Sequence, residues 1–263
     1  MLIDVQFSPG RNPWPVLRDA TLAAESAGFA AAWVFDHLAG RSISGDDVLE
    51  PFTLLGALAA TTTSIELGTL VANVANRQPA VLAVGAASVA AIADRRVLLG
   101  IGAGSSPRGR WAAEMHVVGQ PIDPSLEQRH ALVERTIDLV EAMWAPDRGA
   151  EWATFPLPRR PVPIIVGASS VPLARIAGRR ADGVNVAWRH ARRDELLAAA
   201  RDAFAASGRD GEFAVTVWTK WDDALLDGDH ADRRAMAARG VDRLVLSDHG
   251  VVRPEHISSL RPR

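Results

Sequence analysis

Neither cysteine nor tyrosine occurs among the 263 residues of the chain. The absence of cysteine excludes disulfide bonds, thiolate metal sites, iron–sulfur clusters and cysteine nucleophiles, and the absence of tyrosine excludes a phenolic acid or base. No apolar run reaches the roughly 18 residues that a membrane-spanning helix needs. The N-terminus also lacks the basic region followed by an apolar one that marks a signal peptide. We therefore expect a cytoplasmic protein.

The chain also lacks a large excess of positive or of negative charge. Charged residues make up 23% of the chain and the formal net charge is −2, and the arginines are scattered rather than gathered in a tail. This pattern argues against nucleic acid or a membrane surface as a partner. No set of His, Asp or Glu has the spacing of a metal site, and there is no GxSxG motif of an α/β-hydrolase.

Short apolar runs alternate with longer amphipathic runs along the chain. Most of the apolar runs lack strict alternation with polar residues, as expected of parallel strands that are covered on both faces. The predicted strands are Leu2–Phe7, Ala30–Phe35, Ile65–Val71, Arg96–Ile101, Pro163–Val166, Gly183–Val186, Phe213–Trp218 and Arg243–Leu246. The predicted helices are Pro15–Ala27, Thr53–Thr63, Pro79–Ala93, Pro124–Trp144, Pro172–Arg180, Arg193–Ser207 and Asp229–Ala238.

Eight predicted strands with seven predicted helices between them, in about 250 residues, match the size of a (β/α)8 TIM barrel, an α/β fold. A doubly wound open sheet is the rival architecture. No linker or shift in composition divides the chain, so we predict a single domain over residues 1–263. Asp123 is the predicted N-cap of the helix that starts at Pro124. Three long segments follow predicted strands, at 36–50, 102–122 and 219–228, and in a barrel they would build the active site.

The second predicted strand ends abruptly on two titratable residues, Asp36 and His37. The carboxyl ends of barrel strands carry the active site, so His37 would face the mouth of the barrel and transfer protons. An ordinary turn that begins with aspartate is the other interpretation of this pair.

A glycine-rich loop, GIGAGSS at residues 100–106, follows the fourth predicted strand. Its glycines would let backbone N–H groups approach a flat ring or a phosphate closely. Ser105 occupies the position of the last glycine of a GxGxxG fingerprint, and no Gly-Lys-Ser/Thr of a Walker loop follows. A tight turn without a ligand remains the alternative.

Two further strand ends carry polar residues. Ser169 and Ser170 lie between the fifth predicted strand and a helix, where two hydroxyls and a helix N-terminus predict an anion site or a simple N-cap. After the third predicted strand, Asn73, Asn76 and Arg77 precede a helix. Amides so close to a strand end indicate either hydrogen bonds to a heteroaromatic ring or capping of that helix.

Four collinear segments resemble the bacterial luciferase-like flavin and deazaflavin oxidoreductases. In chain order they are GFAAAWVFDHL, LGTLVANVANRQPAVLA, DRRVLLGIGAGSS and PVPIIVGASSVPLARIAGRRADGVN. The resemblance covers nearly the whole chain and is most specific over residues 28–190. It implies a (β/α)8 barrel that binds FMN or coenzyme F420 at its carboxyl face, and a homodimer that pairs through barrel helices.

The resemblance also implies roles for individual residues. His37 would be the catalytic proton-transfer group, and Asp36 would contact the ring region of the cofactor. The Leu70–Val71 link would be a non-prolyl cis peptide against the ring, and Asn73 would hydrogen-bond the polar edge of the ring. The other implied cofactor-binding residues are Gly102, Ala103, Gly104 and Ser105 beside the ring or ribityl chain, and Gly167, Ala168, Ser169, Ser170 and Arg189 around the phosphate.

The sequence departs from the family pattern at two places. Ser105 stands where a sugar-phosphate dehydrogenase branch has a glutamate that donates a proton, so we do not expect the substrate or mechanism of that branch. This difference leaves open whether His37 has a carboxylic acid partner. Ser169 and Ser170 stand where a Gly-Gly pair is common.

The Asp-His strand end and the third-strand pattern look more like the F420 branch than the FMN branch. We therefore expect an F420-dependent oxidoreductase that transfers a hydride between the deazaflavin and a small organic substrate. Three alternatives stay open. They are an FMN-dependent monooxygenase that uses reduced flavin and dioxygen, a non-catalytic cofactor-binding protein, and an unrelated barrel enzyme for a phosphorylated substrate.

Overall fold

Eight parallel strands close into a barrel in which each strand pairs with the next, and β8 pairs with β1. The computed structural model describes residues 1–262. The strands are β1 (Leu2–Phe7), β2 (Ala31–Val34), β3 (Glu66–Asn73), β4 (Val97–Gly102), β5 (Ile164–Gly167), β6 (Gly183–Ala187), β7 (Ala214–Lys220) and β8 (Arg243–Asp248). The helices are α1 (Trp14–Ala27), α2 (Pro51–Thr61), α3 (Pro79–Ala93), α4 (Ala113–Val117), α5 (Leu126–Trp144), α6 (Val171–Arg180), α7 (Arg193–Ser207), α8 (Ala231–Ala238) and α9 (Pro254–Ser259). The closed barrel confirms the predicted fold and excludes the open sheet.

The differences from the predicted elements lie at the ends. Strands β3, β7 and β8 each continue two residues beyond the predicted boundary, and α4 and α9 are additional short helices. The predicted N-cap of α5 was wrong. Ser125 caps this helix, since its Oγ accepts from the backbone N–H of Gln128 at 3.3 Å. The side chain of Asp123 instead accepts from the N–H of Ser125 at 2.8 Å.

The helices cover the outside of the sheet, and side chains fill the inside. Alanines form much of the buried face of α3, and these small side chains let a helix pack close to the strands. Inside the barrel, Trp33, Leu98, Ile165 and Val245 belong to a small apolar cluster. Within residues 1–262, no helix is long and apolar enough to cross a membrane.

A buried charge network closes the amino end of the barrel, opposite the strand ends that sequence analysis singled out. Asp4 accepts from Trp33 Nε1 at 2.9 Å and from Arg243 Nε and Nη2 at 2.8 and 2.9 Å. Arg243 also pairs with Glu66, with Nη1 and Oε2 2.7 Å apart. Burial raises the pKa of Asp4, and the charge and hydrogen bonds of Arg243 together with the hydrogen bond from Trp33 oppose this rise. The network joins β1, β2, β3 and β8.

Replacement of Arg243 by methionine should lower the free energy of unfolding by about 3–5 kcal/mol, because the Asp4 carboxylate then stays buried without its cation. Urea denaturation followed by tryptophan fluorescence measures this change. Arg18→Met is the matched control, since Arg18 pairs with Asp19 on the surface and such pairs contribute little. Equal losses in the two variants would contradict a special role for the buried network.

Candidate active site

A deep pocket opens at the carboxyl end of the barrel. Its cavity volume is about 1610 Å³, above the roughly 300–1,000 Å³ of typical small-molecule sites, so a large cofactor and a substrate fit together. A smaller cavity of about 490 Å³ on the outside, between α6 and α7, contains none of the predicted site residues. The predicted residues that line the large pocket are Asp36, His37, Leu70, Val71, Asn73, Gly102, Ala103, Gly104, Ser105, Gly167, Ala168 and Ser169.

Two predicted residues lie elsewhere. Ser170 is the N-cap of α6, with its Oγ 3.4 Å from the backbone nitrogen of Leu173 and 3.4 Å from His130 Nε2. The side chain of Arg189 is 73% exposed and pairs with Asp232 of α8, with Nη2 and Oδ2 2.5 Å apart. Ser170 therefore lies next to His130, a residue of the pocket lining, whereas Arg189 does not line the pocket.

Backbone forms one wall of the pocket, along β3, β4 and β5. The Leu70–Val71 peptide is cis, which confirms what the resemblance implied. Val71 packs closely against two glycines: a Cβ atom at Gly102 would lie 2.7 Å from Val71 Cγ2, and one at Gly167 would lie 2.8 Å from Val71 Cγ1. Because neither position has room for a side chain, this wall presents backbone to the cavity, which suits contact with a flat ring.

Asp36 is bound entirely by protein groups. Arg77 Nη1 and Nη2 donate to its two oxygens at 2.7 and 2.9 Å, the N–H of Asn73 donates at 2.7 Å, and Asn76 Nδ2 donates at 3.1 Å. The amide of Asn73 is also engaged, with Asn76 and with the N–H of Ala75. A carboxylate accepts roughly four hydrogen bonds, so Asp36 serves to fasten the segment after β3 to the end of β2.

His37 has a carboxylate partner that sequence analysis did not identify. Its Nδ1 lies 3.0 Å from Oε1 of Glu114 in α4, and Glu114 Oε2 accepts from the backbone N–H groups of Leu38 and Ala39 at 3.1 and 3.2 Å. Burial alone would raise the pKa of Glu114, but hydrogen bonds from His37, Ser42 and Ala39 and the charge of His37 lower it below its ordinary value. Glu114 is therefore ionised at neutral pH.

The carboxylate of Glu114 sets the orientation and tautomer of His37. An anionic acceptor beside Nδ1 favours the proton on that nitrogen, so Nε2 is the nitrogen that can exchange a proton with a bound molecule. The ring of Trp111 lies beside the imidazole, with ring centroids 5.1 Å apart, and Arg110 stacks over Trp111 with its Cζ 4.3 Å from the ring centroid. The segment after β4 thus both orients His37 and covers it.

The pocket lining also includes Lys220 and His249, which the sequence patterns did not predict. Each of them continues the alternation of inward-facing and outward-facing side chains along a strand, two residues after an inward-facing residue. Trp218 precedes Lys220 in β7, and Ser247 precedes His249 at the end of β8. Continuing the period of two beyond the apolar run would have placed both side chains at the mouth of the barrel.

Known proteins resemble this chain in sequence and in fold. An F420-dependent glucose-6-phosphate dehydrogenase from Nakamurella multipartita is 31% identical over 78% of this chain and 60% of the relative. An F420-dependent hydroxymycolic acid dehydrogenase from Mycobacterium tuberculosis is 30% identical over 72% of this chain and 53% of the relative. The chain spans about half to two thirds of the length of the first curated relatives that it matches.

Among solved structures, an F420-dependent secondary alcohol dehydrogenase in complex with an F420–acetone adduct matches with a TM-score of 0.76. The match covers 98% of this chain and 96% of that chain at 14% identity, which shows a shared fold. The family model for luciferase-like monooxygenases matches residues 3–243. From this match, the sequence relatives and the barrel itself, we conclude that the chain belongs to the luciferase-like monooxygenase family.

Proposed function

We propose that this protein is an F420-dependent oxidoreductase that transfers a hydride between the deazaflavin and a small organic substrate. The observation that carries the proposal is the His37–Glu114 pair at a pocket with a wall of backbone. That arrangement supplies a proton-transfer group beside a surface suited to a flat ring. Two sequence relatives are named as F420-dependent dehydrogenases, which supports this cofactor over FMN.

The residues present fit a cofactor with a planar ring and a phosphate. Leu70, Val71 and the glycines of β4 and β5 would hold the ring. The phosphate would lie at the N-terminus of α6 beside Ser169, where the positive end of the helix dipole favours an anion. Arg129 supports this placement, because in the part of the chain that the structure describes its buried Nε has no hydrogen-bond partner, and it lines the pocket next to His130.

The protein residues would handle the proton while the bound deazaflavin supplies the site that gains or loses the hydride. When an alcohol is oxidised, His37 Nε2 accepts the proton of the hydroxyl group as the carbon loses its hydride. Glu114 stabilises the resulting imidazolium through Nδ1. Asp36 and Arg77 keep the end of β2 in place, so the imidazole holds its position during the reaction. In the reverse direction, His37 returns the proton to the carbonyl oxygen.

Titration of the protein with F420 and with FMN in parallel should show tight binding of F420 and at least tenfold weaker binding of FMN. Fluorescence of the deazaflavin and of the flavin reports each equilibrium. Arg129→Gln should weaken F420 binding, because the pocket lining would lose the positive charge of this guanidinium. Arg159→Gln, on an exposed segment, is the matched control. Preference for FMN, or binding of neither molecule, would refute the proposed cofactor.

Replacement of Glu114 by glutamine should lower turnover about 10- to 100-fold, because the amide no longer stabilises the positive imidazole. His37→Ala should lower turnover by about 10²–10⁴-fold, the usual contribution of a positioned acid or base. Reduction of F420 over a panel of secondary alcohols and hydroxy acids measures both rates. The F420 dissociation constant should change less than threefold in either variant. A fall in affinity that accounts for the whole loss of rate would show that the pair serves binding instead. Glu151→Gln, in an exposed 3-10 helix, controls for loss of a carboxylate elsewhere.

A further inference from the structure

The pocket is positively charged although the whole chain carries a formal net charge of −2. Over the described residues 1–262, six arginine and lysine side chains line it, against three carboxylates. Each of these carboxylates, on Asp36, Glu114 and Asp123, already accepts hydrogen bonds from protein donors. The electric field in the pocket therefore favours anions.

The six cations do not share one task. Arg77 pairs with Asp36. Arg129 and Arg135 belong to α5, whose His130 lies 3.4 Å from the Ser170 cap of α6. The other three cations are Arg11, Arg110 and Lys220. Among the residues that the structure describes, these three make no ion pair and no side-chain hydrogen bond, so their charges are available to a ligand.

Lys220 extends the inner face of the barrel into the mouth. Side chains alternate along a strand, and Ala214 and Trp218 of β7 pack into the cluster inside the barrel, so Lys220 continues the inward-facing row two residues above Trp218. In the adjacent strand β8, Ser247 is the register partner of Lys220, and His249 is two residues beyond Ser247.

The charges of Lys220 and Arg110 both act on His249, which lines the same pocket. Burial lowers the pKa of His249 and the charges of Lys220 and Arg110 lower it further, against the opposing charge of Asp248. The imidazole is therefore neutral at pH 7 and can donate or accept a hydrogen bond. Its Nε2 lies 3.2 Å from Ser247 Oγ. Lys220 and His249 thus lie at the ends of β7 and β8, half-way around the barrel from the backbone wall of β3 and β4, and Arg110 lines the same pocket from the segment after β4.

We propose that Lys220, Arg110 and His249 form an anion-binding subsite for a carboxylate or phosphate group of the substrate. This inference rests on the proposed function, since it assigns the backbone wall to the cofactor and the facing wall to the substrate. The ring of Phe35 contacts both the imidazole of the proposed subsite and the proposed proton-transfer group. Its centroid lies 5.4 Å from that of His249 and 6.4 Å from that of His37. A hydroxy compound whose anionic group lies several bonds from its reacting carbon, as in a hexose that carries the anion at carbon six, can span this interval. The substrate class is therefore hydroxy acids or phosphorylated alcohols.

Three sugars with one ring and different groups at carbon six test the subsite: glucose 6-phosphate, glucuronate and glucose. Calorimetry would measure their binding to the protein loaded with reduced F420, which cannot accept a hydride from the sugar. We expect at least one anionic sugar to bind at least tenfold tighter than glucose, and the preferred anion distinguishes a phosphate from a carboxylate site. Lys220→Gln and Arg110→Gln should each remove most of this preference.

Two conservative changes serve as controls. Lys220→Arg should keep the preference within about threefold because it keeps the positive charge, and Arg108→Gln, in the same segment as Arg110 but outside the pocket lining, should behave as the unaltered protein. The affinity for F420 should be equal in all variants. Equal binding of glucose and of both anions, no measurable binding of either anion, or an unchanged preference in Lys220→Gln would each overturn the inference. Failure to bind F420 would refute the proposed function separately, and the sugars would then be measured on the cofactor-free protein.

A second readout locates the anion directly. Lys220 is the only lysine of the chain, so reductive methylation with a carbon-13 label marks this side chain and the α-amino group, and the methylated amine keeps its charge. The anionic sugar should shift the NMR signal of the labelled Lys220 and leave the α-amino signal in place. A shift of neither signal on saturation would place the anion elsewhere and contradict the subsite.

Discussion

The ion pair between Asp36 and Arg77 holds the candidate site together. Both side chains are nearly removed from solvent, and the guanidinium contacts the carboxylate through two nitrogens. Loss of one partner of such a buried pair costs about 3–5 kcal/mol, so this pair fixes the end of β2 firmly to the segment that follows β3. His37 and the backbone wall at Val71 therefore keep a constant separation.

The site divides into parts with different physical tasks. The wall along β3–β5 exposes mainly backbone atoms to the cavity, which favours contact with a planar group. In the proposed function His37 and Glu114 handle a proton, and the ring of Trp111 lies beside the imidazole. The facing wall, at the ends of β7 and β8, carries the positive charge of Lys220 beside the imidazole of His249. A barrel places these parts around one cavity because all its strands end at the same face.

Much of this could be predicted from the sequence because buried parallel strands leave continuous apolar runs. The order of the eight strands follows from these runs, and the cis link at Leu70–Val71 follows from the resemblance to the family. Glu114 could not be found in this way, since it reaches His37 through a short helix inside a long connecting segment with no periodic pattern. Lys220 and His249 were missed because each follows the end of an apolar run, where a polar residue looks like the start of a loop. For Arg189 the resemblance to the family suggested a pocket residue that the structure places elsewhere, because its position in the sequence does not reveal the ion pair with Asp232.

The proposed function requires a deazaflavin ring between the backbone wall and His37. A crystal structure of the protein soaked with F420 would locate this ring. We expect the ring against Leu70–Val71 and the glycines of β4 and β5, with His37 Nε2 facing the reacting edge of the ring and the phosphate at the N-terminus of α6. A ring bound against the wall of Lys220 and His249, or a phosphate far from α6, would contradict this proposal.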